Sequence, residues 1–148
     1  MSHGYPMHAR AGAKCVMAAV TPESAENLKQ ILGTAYTLYW PSSVTQAQAL
    51  LNHYPVDLII CGTRFDDSRL LDLLQYCKSS SRLASIPFIA LRIKRGKLPI
   101  ESLRDLKLAS EALGASAFVH LEDWERKYGP IQAEVEFRAL VASLLPDQ

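Results

Sequence analysis

Residues 55–68 read PVDLIICGTRFDDS. Val56, Leu58, Ile59 and Ile60 form a short, almost continuous apolar run between Pro55 and Gly62, the pattern of a strand buried on both faces. In open α/β sheets the carboxyl ends of such strands carry the functional groups. This strand delivers Gly62, which has no side chain, to that place.

The pattern repeats on either side. Upstream, KCVMAAV (14–20) reads as a first strand, and TPESAENLKQIL (21–32) places Ala25, Leu28, Ile31 and Leu32 at helical spacing. Thr21 is set to cap that helix, Pro22 fits its first turn, and Gly33 stops it. AYTLYW (35–40) is a second strand. SSVTQAQALLNHY (42–54) is a second helix, for which a Thr-x-x-Gln capping box at Thr45 and Gln48 is expected, with Leu50, Leu51 and Tyr54 on its buried face. Downstream, DDSRLLDLLQYCKS (66–79) predicts a helix capped by Asp66 or Asp67. IPFIALRI (86–93) is a fourth strand. PIESLRDLKLASEALG (99–114) is an amphipathic helix with Leu103, Leu106, Ala109 and Leu113 along one side and Gly114 as its stop. SAFVHL (116–121) supplies a fifth strand. After an irregular polar stretch, LEDWERKYGP (121–130), the segment IQAEVEFRALVASLL (131–145) closes the chain as a helix with Val135, Leu140, Val141 and Leu144 among its apolar positions.

Short apolar strands alternating with helices require a parallel sheet covered on both faces, because parallel crossovers must lie above or below it. The predicted class is therefore α/β, a doubly wound five-stranded parallel sheet of order 2-1-3-4-5. That order puts the ends of strands 1 and 3 at the crevice, with Ala19, Val20 and Gly62 as its floor.

The 148 residues, 49% hydrophobic, suffice for one domain, expected over 14–146. Residues 1–13 read as a disordered lead-in or an expression remnant. A net charge of +1 gives no global basic field for nucleic acid. No stretch has the roughly 18 consecutive apolar residues that span a bilayer. Cys15, Cys61 and Cys77 fit buried free thiols better than a disulfide framework, which points to the cytoplasm.

In PVDLIICG, IPFIALR and EALGASAFVHL the sequence resembles response-regulator receiver domains over about residues 14–145. The resemblance implies a flavodoxin-like receiver fold and a phosphoryl-acceptor site with an acidic pair after strand 1. It also implies an acceptor Asp ending strand 3, a hydroxyl residue ending strand 4 and a Lys ending strand 5. At those positions this chain has Ala19 and Val20, Gly62, Arg92, and Leu121. Mg²⁺ requires carboxylate oxygens, and phosphoryl transfer depends on charge neutralisation by the metal. The expectation is therefore a pseudo-receiver: a non-enzymatic, phosphorylation-independent signalling module with no metal and no cofactor. It would bind a signalling protein or a second copy of itself through the fourth crossover, fifth strand and last helix.

Arg92, Lys94 and Arg95 in RIKRGK (92–97) are candidate contacts for an anion or an acidic partner, and Trp124 and Tyr128 are candidate interface aromatics. A second reading is a small-molecule or anion sensor using the vacated crevice between Ala19, Gly62 and Arg92. A third is a residual phosphoacceptor at Asp66 or Asp67. His120 stands alone at a strand end, which indicates no metal site. Ser24, Cys61 and Cys77 lack a base and an orienting partner for nucleophilic catalysis. AAVTPES (18–24) has none of the glycines that a pyrophosphate loop needs.

Overall fold

The computed structural model describes residues 12–93 and 100–146. At its centre lies strand β3 (Leu58–Gly62), buried at every residue. Strand β1 (Cys15–Ala19) pairs with β3 on one side and with the short edge strand β2 (Thr37–Tyr39) on the other. Beyond β3 lie β4 (Phe88–Arg92) and β5 (Ala117–His120). All pairings are parallel and the order is β2-β1-β3-β4-β5, as the alternation predicts.

Strand alternation divides the core between the two faces. Met17, Ala19, Ile59, Cys61, Phe88 and Ala90 pack with helices α2 (Val44–His53), α3 (Phe65–Ser68) and α4 (Leu70–Lys78). Val16, Ala18, Leu58, Ile60, Ile89 and Leu91 pack with α1 (Pro22–Leu32) and α7 (Pro130–Leu144). Helix α5 (Ile100–Ala112) precedes β5. Helix α6 (Leu121–Tyr128) joins β5 to α7.

Helix α1 has the predicted termini. Thr21 Oγ1 accepts from the Ser24 N–H, Pro22 opens the helix, and Gly33 closes it at φ +60°, where a side chain would be strained. The cap of α2 is two residues earlier than expected. Ser43, not Thr45, accepts from the Gln46 N–H at 3.0 Å, and Gln46 Oε1 in turn accepts from the Ser42 N–H. The earlier start is favoured because it makes Val44 part of the helix and buries it in the core.

Three further differences follow from packing. The segment expected to be irregular is helix α6. Leu121, Trp124 and Tyr128 recur at helical spacing, Leu121 is buried, and Trp124 packs against the α1/α7 core. Glu122 and Asp123 in its first turn and Arg126 and Lys127 in its last match the helix dipole. On α7 the buried face is Ala133, Phe137 and Val141, whereas Val135 is 39% exposed. On α5 the expected apolar side is only partly buried, and Leu113 lies at the surface. Of the expected lead-in over residues 1–13, residues 1–11 fall outside the described residues.

Candidate functional site

Of Ala19, Val20 and Gly62, expected as the floor of the crevice, only Gly62 lines the cavity at the carboxyl ends of the strands. Ala19 is paired in register with Cys61 and Gly62 with Leu91. Ala19 is fully buried and Val20 nearly so. The ideal Cβ position of Gly62 lies 3.5 Å from Val20 Cγ1 and 3.7 Å from Val20 Cα, so a side chain there would begin in ordinary contact with Val20. Leu121 is also buried, directed into the α1/α7 core rather than over the crevice.

The cavity has a volume of about 30 Å³ and is lined by Thr21, Glu23, Ser24, Asn27, Gly62, Thr63, Arg64, Leu91 and Ile93. This is room for little more than water. Glu23 is the sole carboxylate in that lining and Arg64 brings a cation. A hard divalent cation wants several carboxylate or carbonyl oxygens. A lining with one carboxylate and one guanidinium does not fit Mg²⁺.

Arg92 is not among the residues lining this cavity, which corrects its expected position over the crevice. Alternation places it on the face of Phe88 and Ala90, opposite Leu91 and Ile93, and it is only 5% exposed. In the register it stands beside His120, whose Nδ1 lies 2.7 Å from Asp123 Oδ2. His120 is thus part of a polar cluster and not isolated. Asp123 also pairs with Arg126. Lys94 and Arg95 lie outside the described residues.

Asp66 and Asp67 do not cap the helix that follows them. Both, with Ser68, have positive φ (48°, 57° and 65°), and α4 starts after Arg69 without a side-chain cap. Asp66 Oδ2 instead accepts from the Val44 N–H at 2.9 Å and so caps α2 from across the fold. Sequence reasoning missed this because the two residues lie 22 positions apart.

The remaining candidates are structural or interfacial in setting. Trp124 and Tyr128 stack edge to face, with centroids 6.4 Å apart, and Tyr128 is exposed. Ile131, 81% exposed, follows on α7 beside Val135; the sequence reading did not single it out. Cys61 and Cys77 are buried, and burial pushes both thiols up, Cys77 to about 11. Such thiols are poor nucleophiles at neutral pH. Among the described residues there is no cluster of three His, Cys, Asp or Glu side chains that could hold a metal, and no helix long and apolar enough to cross a membrane.

No protein-family model matches the chain, and no curated protein matches it in sequence. Solved structures do. The chain is similar to the signal receiver domain of a signal transduction histidine kinase from Syntrophus aciditrophicus, with 25% identity and a TM-score of 0.66, covering 90% of each chain. It is similar to a phosphorylated cyanobacterial phytochrome response regulator at 14% identity and a TM-score of 0.66, covering 87% of this chain and 91% of that one. It is also similar to an orphan response regulator of H. pylori at 12% identity and a TM-score of 0.63, covering 91% and 98%. The fold is that of receiver domains, the modules of two-component signal transduction.

Proposed function

We propose that this chain is a pseudo-receiver: a phosphorylation-independent, non-enzymatic signalling module that acts by binding another protein. The observation that carries the reading is the composition of the crevice. By resemblance, Ala19, Val20 and Gly62 match the positions where a receiver carries metal-binding and acceptor carboxylates; Ala19 and Val20 are buried, and Val20 lies next to Gly62. Arg64 adds a positive charge to the cavity lining, which disfavours a divalent cation there. A protein-binding role draws support from the aromatic and aliphatic side chains left at the surface of α6 and α7, namely Tyr128, Ile131 and Val135.

Incubation with a small-molecule phosphodonor and Mg²⁺, read by intact mass, tests the first half of this reading. The expected outcome is an unchanged mass. Addition of a phosphoryl group, mapped to Asp66 or Asp67, would replace it with the residual-acceptor reading. The anion-sensor reading has less support, since the cavity is small and Arg92 lies on the other face of the sheet.

A further inference from the structure

The loop between β3 and α4 is held in a conformation that its own residues disfavour. Asp66, Asp67 and Ser68 are three successive non-glycine residues with positive φ. Asp tolerates the left-handed region as a single residue, but a run of three carries the steric penalty at each position. Meanwhile α4 begins at Leu70 with Arg69 in the cap position, which makes no side-chain cap, although favoured capping residues stand immediately before it. Local preference and observed conformation therefore oppose each other. The counterweight is at the N-terminus of α2, where the Asp66 carboxylate accepts from the Val44 N–H at 2.9 Å. Arg69 Nη1 lies 3.5 Å from the same Asp66 oxygen while its Nε donates to Asp72, and Phe65 is anchored in the core.

We infer that residues 66–68 form a two-state switch: a left-handed state in which Asp66 caps α2, and a right-handed state in which Asp66 releases α2 and α4 lengthens to start at Ser68 with Asp67 as its cap. The inference is independent of the proposed function. It also has a bearing on the crevice, because Thr63 and Arg64, at the start of the same loop, line it.

NMR on the full chain tests this. In Asp66→Ala the strong intraresidue amide-to-α-proton contacts that report positive φ at Asp67 and Ser68 should disappear, sequential helical contacts should extend to Ser68, and the Val44 amide should exchange roughly five-fold faster, the usual worth of one cap. Adding Asp67→Gly, which removes the left-handed penalty at that position, should restore the positive-φ pattern. Persistence of that pattern in Asp66→Ala would overturn the switch. Should Asp66→Ala fail to fold, relaxation dispersion on the wild type decides: a shared exchange rate at residues 66–69 and Val44 supports two states, and flat profiles refute them.

Discussion

Replacing Gly62 tests the pseudo-receiver proposal most directly. Its φ is not positive, and the nearest atoms to an added Cβ are those of Val20 at 3.5–3.7 Å, ordinary contact distances. Gly62→Ala should therefore fit without strain and stabilise the fold by about 0.4–1 kcal/mol, because alanine has less unfolded-state freedom to lose. Gly62→Asp places a carboxylate in the same buried spot, with no metal-binding acids beside it. Relative to Gly62→Ala it should cost roughly 1–3 kcal/mol at pH 7. Burial raises the folded-state pKa of that carboxyl above its unfolded value of about 3.9, so the penalty is smallest below pH 4 and grows as pH rises. Urea denaturation of both variants at pH 4 and pH 7 measures the gap. A gap that stays constant with pH, or a Gly62→Ala variant destabilised by more than about 1 kcal/mol, would refute this account of the crevice. Gly62→Asp should also remain unphosphorylated with a phosphodonor and Mg²⁺, since Ala19 and Val20 still bind no metal.

Two further outcomes are expected. The buried Cys77 thiol is raised from 9.0 to about 11 by burial, with a smaller opposing effect from Lys78. Its protonated form is thus favoured by folding, a contribution of about 2–3 kcal/mol that is complete below pH 9 and lost as pH rises towards 11. In urea titrations at pH 7 and pH 10.5 the wild type should lose more stability across this window than Cys77→Ala, and equal losses would contradict the burial. On α7, Phe137→Ala should cost about 3–5 kcal/mol because Phe137 is fully buried, whereas Val135→Ala should stay within about 0.5 kcal/mol. Comparable losses would mean that the helix is rotated from the orientation described.

Much of this fold is legible because its signals are local. The caps at Thr21 and Gly33 act within one turn of the residues they cap, and the apolar run at β3 is buried on both faces whatever its neighbours are. Helix α6 carries a local signal too: Leu121, Trp124 and Tyr128 share one face, but a majority of charged residues masks it. At the carboxyl ends of β1 and β3, the places of Ala19 and Gly62 are readable because strand register sets them opposite Cys61 and Leu91. The position of Arg92 is not readable from resemblance alone. Matching it to a crevice residue leaves open which face of the strand its side chain takes, and alternation with Leu91 and Ile93 sets that.

Strand and helix placement follow from the sequence by itself, since each depends on residue type and spacing along a few consecutive positions. The alternation of strands and helices leaves two common doubly wound orders, and the pairing of β1 with β3 selects 2-1-3-4-5. Only the tertiary structure decides the cap of α2, the left-handed turn at 66–68 and the face of α7 that meets the sheet. Val44 is held by an oxygen 22 residues away, and Phe137 rather than Val135 is buried by its contact with the β1–β3–β4 face. Contacts of that kind stabilise by bringing distant groups together, and local propensity yields where they contribute more than it costs.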